Sequence, residues 1–196
     1  MPDARHDRPS PFIARWLASS APASAARAID AACGRGRHSL ALAREGYRVT
    51  AIDIRLDALR SLSDSARAEA LPVFPLCADL ERFPWPTDRF DMIVVTRYLD
   101  RRMFGRLCHA LAPGGILLYE TFTEHQRQHQ RGPTSPDHLL KPGELRTLVR
   151  GLDVLFDEEV MEPEAVARIA ARRPCATRRN QQFALSTEPF AITDWR

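Results

Sequence analysis

Lysine is all but missing from this chain of 196 residues: Lys141 is the single lysine among 28 basic side chains, and the remainder are arginines. Genome composition produces such a bias as readily as phosphate recognition does. With 25 acidic residues the net charge is only +3, which does not require a nucleic-acid partner, because net charge by itself speaks to solubility and association. Cysteine is scarce as well. Cys33, Cys77, Cys108 and Cys175 stand far apart with no CxxC pair, so neither a zinc knuckle nor a redox dithiol is indicated, no metal is expected, and the thiols suit a reducing cytoplasm. Long apolar runs are absent too. The stretch from Pro2 to Ser10 is polar and contains proline, unlike a signal peptide, and no segment is long enough to span a bilayer, so a cytoplasmic protein without membrane contact is expected.

What is present is a composition of 44% hydrophobic and 27% charged residues, ordinary for a globular chain that hides roughly 70% of its unfolded surface without a staple. We expect one domain over residues 1–196: a leading helix within 1–20, a core over 27–151, and closing strands with a tail over 152–196. Apolar runs alternate with segments of helical period, which is the pattern of an α/β fold. Residues 28–32 make a first strand, Gly34-Arg35-Gly36 turns into a helix ending near Gly46, and residues 47–52 make a second strand that stops at Asp53. Pro72 to Cys77 suits an edge strand because its prolines would break a central ladder. Phe90 to Val95 is the clearest buried strand. A helix from about Asp100 to Ala112 follows, then a turn at Pro113-Gly114-Gly115 into a strand over 116–120. Thr121 to His138 lacks periodicity and is expected to be a long functional or mobile loop. A helix opens at Lys141-Pro142 and ends at Gly151; residues 152–160 and 166–171 form two closing strands, and 181–186 a further edge strand.

The stretch Asp30-Ala31-Ala32-Cys33-Gly34-Arg35-Gly36 carries the most chemical information. Glycines let backbone approach a ligand, a helix N-terminus offers unpaired N–H groups, and an acid after the next strand can accept both ribose hydroxyls. Asp53 lies 17 residues beyond Gly36, near the spacing of roughly 20 for that acid. The unit is therefore expected to hold an adenosine-bearing ligand. Ser39 stands where a dinucleotide fingerprint wants glycine or alanine, and Asp30 would repel a pyrophosphate, which disfavours a nicotinamide cofactor. Asp30 suits instead a sulfonium or an amino group, and Asp79 an adenine amino group.

Asp-Ala-Ala-Cys-Gly-Arg-Gly-Arg-His-Ser-Leu (30–40), Gly-Tyr-Arg-Val-Thr-Ala-Ile-Asp (46–53), Phe-Asp-Met-Ile-Val-Val (90–95) and Leu-Ala-Pro-Gly-Gly (111–115) resemble the class I S-adenosylmethionine-dependent methyltransferases, in the branch similar to tellurite-resistance-type methyltransferases. The resemblance covers about Pro11 to Gly151. It implies a Rossmann-like, seven-stranded, mostly parallel sheet flanked by helices, here closed by a C-terminal antiparallel hairpin. It further implies S-adenosylmethionine as cofactor, with S-adenosylhomocysteine as product. Gly34 and Gly36 would line its methionine part, Asp53 the ribose, Leu56 and Leu80 the adenine faces, and Asp79 the adenine edge. Asp30, Cys33 and Thr96 complete the expected cofactor residues, Cys33 as a small side chain beneath the ligand.

In such sheets ligands bind beyond the C-terminal strand ends, which places Thr96, Arg97, Tyr98 and Glu120 at the reactive end. Glu120 is the candidate general base, Tyr98 orients the acceptor, and Arg97 holds an anionic group on it. Two packing alternatives stand beside these: Tyr98 beneath the helix after it, and Arg97 in a local ion pair. His125 and His129 share helical spacing but lack a third ligand, so a solvated loop is favoured over a metal site. The expected function is methylation of a small molecule or modified nucleoside. A non-catalytic cofactor-binding subunit that activates a partner protein is the rival. RNA modification finds support only in the arginines between Arg168 and Arg179.

Overall fold

The computed structural model describes residues 8–175. Its spine is a seven-stranded sheet in the order β3-β2-β1-β4-β5-β7-β6. The strands are β1 (Arg27–Ala31), β2 (Arg48–Asp53), β3 (Val73–Cys77), β4 (Phe90–Thr96), β5 (Leu111–Phe122), β6 (Asp153–Val160) and β7 (Val166–Arg172). β1 to β5 pair in parallel, and β7 runs antiparallel to both β5 and β6. The expected mostly parallel sheet with a C-terminal hairpin is what the chain forms. Residues 181–186, expected to add an edge strand, lie outside the described residues.

Side-chain alternation along the central strands divides the core. Ile93 and Val95 of β4 pack with Leu107, Leu117 and Tyr119 on one face, whereas Met92 and Val94 pack with Phe12, Ile13 and Leu42 on the other. Period-two alternation on a strand buried on both sides gives this continuous apolar reading in the sequence. Helices α1 (Pro11–Ala18) and α2 (Arg37–Arg44) cover the second face, and α4 (Phe104–Ala110) the first. Between them in sequence, α3 (Leu56–Ala68) packs Leu59 and Leu62 against Cys33 and Ala51. Ser10 starts α1 by accepting a hydrogen bond from the Ile13 amide at 3.3 Å, with Pro11 in the first turn. β3 lies at the sheet edge with Phe74 and Leu76 exposed and Pro75 within it, as its prolines require.

Several boundaries differ from expectation, among them the helix opening after Lys141-Pro142, which spans only Glu144–Leu148. The helix after Asp100 ends at Ala110, and β5 begins at Leu111, before the Pro-Gly-Gly sequence. Phe90 faces Leu111 and Met92 faces Ile116, so residues 112–115 form a bulge opposite the single residue Asp91. Gly115 is required there, since a Cβ would sit 2.8 Å from the Phe90 carbonyl oxygen. The stretch 121–138 is also more ordered than its polarity suggests. It contains two 3₁₀ turns, Glu124–His129 and Pro136–His138. Fully buried Gln126 accepts from the Ala165 amide at 2.7 Å and donates to the Arg131 carbonyl at 3.0 Å, which anchors this loop to the β6–β7 connection. Helix α5 (Glu144–Leu148) then leads into β6.

Candidate functional site

The C-terminal ends of β1, β2, β4 and β5 meet at two adjoining clefts. The first, about 450 Å³, is lined by Ala32, Cys33, Gly34, Asp53, Thr96 and a set of arginines, Arg35, Arg37, Arg55 and Arg97, with His38. Its floor is the turn between β1 and α2. Gly34 has φ +58° and Gly36 φ +80°, left-handed values natural to glycine. A Cβ on Gly36 would also lie 2.2 Å from Cδ1 of the fully buried Leu62. The turn is fastened to the tip of β2: the Gly34 amide donates to Asp53 Oδ2 at 2.7 Å, and the Arg55 amide donates to Oδ1 at 2.9 Å. Asp53 thus stands in the cleft with its carboxylate oriented by two backbone donors; Oδ1 also accepts from Arg55 Nε at 3.4 Å, and Oδ2, bonded only to the Gly34 amide, keeps a free lone pair.

Ala32 was not singled out in the sequence, yet it also has a left-handed φ of +58°. This conformation costs an alanine on the order of 1–2 kcal/mol. Ala32→Gly is therefore expected to stabilise the protein by about 0.5–1 kcal/mol, the relief being partly offset by the greater freedom of an unfolded glycine. The melting temperature then rises by roughly 1–4 °C; a thermal melt showing a lower value would mean that the Ala32 methyl contributes packing that exceeds the strain.

Asp30 lies below the cleft, fully buried. Its Oδ2 accepts from the Ser39 hydroxyl at 2.6 Å, whereas Oδ1 has no partner among the described residues. Burial raises its carboxyl to about 7, opposed by the Ser39 hydrogen bonds. Ser39, in the sequence only a departure from a dinucleotide fingerprint, is the residue that bonds one oxygen of this acid. Cys33 is buried and its thiol is pushed up by desolvation and by Asp30 and Asp53, so it is a packing residue here and not a thiolate.

His38 is a second residue that no local pattern in the sequence marks. The Ser10 amide donates to its Nε2 at 3.1 Å, which leaves the proton on Nδ1 for donation to Thr96 Oγ1 at 3.2 Å. Burial, with Arg37 and Arg97 nearby, lowers it to about 3, so the ring is neutral. One imidazole thereby ties the start of α1 and the tip of β4 to the first turn of α2.

The adenine-side candidates are more dispersed. Leu56 is half exposed and Ile54 is 68% exposed, and these two apolar side chains flank the loop after Asp53. Leu80 is buried. Asp79 sits beyond β3, its Oδ1 accepting from the Glu81 amide at 3.0 Å. Ile54 is the addition here, visible in the sequence only as an apolar residue directly after the acid.

The second cleft, about 460 Å³, is lined by Arg37, Arg97, Glu120, Arg131, Glu164 and Arg168 among others. Glu120 is buried at the end of β5, and Arg168 Nε donates to its Oε2 at 2.7 Å. Arg97 is left-handed at φ +55°, pairs with Glu164 Oε2 at 2.7 Å and stacks over Phe122 at 5.7 Å. The structure brings Arg97 and Glu120 together. It does not bring Tyr98 to them: that side chain packs on the core beneath α4, and its phenol is raised by burial and by Asp100, Glu81 and Asp79. Among the arginines considered for RNA, Arg168 pairs with Glu120 and Glu158, and Arg173 pairs with Asp88, which engages both internally. Arg178 and Arg179 lie outside the described residues.

Comparison with known proteins agrees with this architecture. Residues 28–115 match the family described as Methyltransferase domain. YqeM of Bacillus subtilis (strain 168), which bears a methyltransferase name, is 30% identical over 115 residues, covering 54% of this chain and 46% of its own. The chain therefore spans less than half the length of that relative. TehB from Haemophilus influenzae has a TM-score of 0.66 at 20% identity, covering 82% of this chain and 61% of its own. The [4+2]-cyclase SpnF has a TM-score of 0.69 at 18% identity, covering 83% and 80%. Likeness at these identities shows the fold, which by itself does not fix the chemistry.

Proposed function

We propose, from a methyltransferase domain over residues 28–115, that the protein binds S-adenosylmethionine in the first cleft and transfers its methyl group to a small molecule or modified nucleoside in the second. The observation that carries this reading is the Gly34–Asp53 hydrogen bond. It couples a glycine cradle with room for a ligand to a carboxylate that faces the same cleft. The cofactor also fits on a separate ground: Asp30 Oδ1 is a buried acceptor without a partner among the described residues, as a site for a cationic ligand would leave it.

Each residue then has a task set by its place. Gly34 and Gly36 keep side chains out of the cradle, Asp53 accepts the ribose hydroxyls, and Arg35, Arg37 and Arg55 suit the carboxylate of the methionine part. Ile54 and Leu56 offer apolar cover to the adenine, with Asp79 at its edge and Leu80 behind it. Thr96, held by His38, lines the first cleft. When bound, S-adenosylmethionine supplies an electrophilic methyl group on a sulfonium. What the chain itself must supply is alignment of the acceptor, which can contribute on the order of 7–11 kcal/mol. Arg97 orients the acceptor, and Glu120 receives its proton on Oε1, the oxygen that Arg168 does not occupy. Tyr98 lines neither of the two clefts and is given no role in the transfer; its carbonyl accepts from the buried Tyr119 hydroxyl at 2.7 Å. No helix among the described residues is long and apolar enough to cross a membrane, and the four cysteines are free, which suits work in a reducing cytoplasm.

S-adenosylhomocysteine at a hundred times its dissociation constant is expected to stabilise the fold by about 2.7 kcal/mol, and NADH at the same concentration to have no effect. A thermal shift produced by NADH and not by S-adenosylhomocysteine would overturn the assignment. Incubation of cell extract with labelled cofactor, read by mass spectrometry, then identifies the methylated product.

A further inference from the structure

The second cleft is electrostatically lopsided. Five arginines line it, Arg8, Arg37, Arg97, Arg131 and Arg168, against two acids, Glu120 and Glu164. Both acids are already engaged, by Arg168 and Arg97 respectively, each at 2.7 Å. Arg8, Arg37 and Arg131 have no carboxylate partner among the described residues; Arg131 donates to the neutral Pro163 carbonyl. Arg37 is only partly exposed, and burial together with the neighbouring Arg97 disfavours its charge. An arginine does not shed its proton to escape such a position. Unbalanced guanidinium groups on a concave wall instead concentrate counter-anions.

We infer that this cleft is built to bind an oxyanion, so that the methyl acceptor carries a carboxylate or phosphate group. The word acceptor rests on the methyl-transfer reading; the anion site rests on the charges alone. The carboxylate of the cofactor does not account for them. Arg37 and Arg97 line both clefts, but Arg8, Arg131 and Arg168 line only the second. A volume of about 460 Å³ is that of a small-molecule site. Planar forks aimed into it match carboxylate and phosphate oxygens in pairs.

The test is calorimetric titration of the full chain with inorganic pyrophosphate and, separately, with benzoate, at low salt because ions screen partly exposed charges. At least one of them is expected to bind saturably with one-to-one stoichiometry. Preference for pyrophosphate indicates a phosphate on the acceptor, and preference for benzoate a carboxylate. Glu164→Gln frees Arg97 and removes a negative charge from the cleft, so it is expected to tighten that binding by about three- to tenfold. The double variant Arg37→Gln, Arg131→Gln is expected to weaken it by about tenfold or more. A misfolded protein cannot produce the tighter binding. Saturable binding of neither anion to the native protein, or no tightening in Glu164→Gln, overturns the inference. S-adenosylhomocysteine titrated into the same protein reads the first cleft independently. Anion binding without it sinks methyl transfer and leaves the oxyanion site standing, and the reverse result does the opposite.

Discussion

Replacing Asp53 with alanine is expected to weaken S-adenosylhomocysteine binding by about 3 kcal/mol, roughly a hundredfold, because charge-assisted hydrogen bonds contribute about 1.5–3 kcal/mol and more than one is lost. The carboxylate has two duties. It faces the first cleft, and it holds the turn through the Gly34 and Arg55 amides. Asp53→Asn separates them. Its single carbonyl oxygen can serve only one of the two amides well, and it removes the charge that strengthens any bond to a ribose. The asparagine variant should therefore lose about tenfold or more while its far-ultraviolet circular dichroism remains native. Calorimetry showing unchanged affinity in both variants would take Asp53 out of the cofactor site.

The second large effect is on the fold itself. Gly36→Ala is expected to destabilise the protein by about 3 kcal/mol, combining roughly 1–3 kcal/mol for forcing a methyl into packed space with about 1–2 for a left-handed alanine. The overlap is with Leu62, whose side chain is fully buried between α3 and the sheet and has no solvent to rotate into. A melting temperature lower by roughly 6–12 °C follows from that loss for a chain of this size. An unchanged melt would show that Leu62 yields without cost and that the turn tolerates a side chain.

Ala32 and Gly36 were equally small letters in the sequence, and only one was legible. Glycines announce the left-handed region, whereas an alanine held there by its surroundings announces nothing. The same distinction runs through the fold. β1, β2 and β4 are buried on both faces, so their apolar runs stand out, and the glycine turn with Asp53 is compact enough to be read locally. The start of β5 was misplaced because proline followed by two glycines normally ends an element; here register freedom opposite Asp91 absorbs them as a bulge. The polar stretch 121–138 has no periodicity because its order comes from non-local bonds to the β6–β7 connection, made by Thr123, by buried Gln126 and by Arg131. His38 was missed for a related reason: its partners, Ser10 and Thr96, are 28 and 58 residues away. Tyr98 follows Arg97 directly in sequence, which by strand-tip position alone puts it beside Arg97 and Glu120. A left-handed Arg97 interrupts strand alternation just before it, so its side chain leaves on the other side.

The order of strands at the carboxyl side also dictates when the molecule becomes competent during synthesis. β7 leaves the ribosome after β6 but lies between β6 and β5, so until β7 is made β6 has no strand partner and β5 is paired on its β4 side only. Elongation at about 5–20 residues per second keeps that interval short. While it lasts, β5, twelve residues long, presents an open row of amides and carbonyls to any other nascent strand. Seating β7 closes this edge and in the same event delivers Val166 and Arg168 to the second cleft, with Glu164 just ahead of them. The first cleft can assemble beforehand, but the second comes into being only with β7.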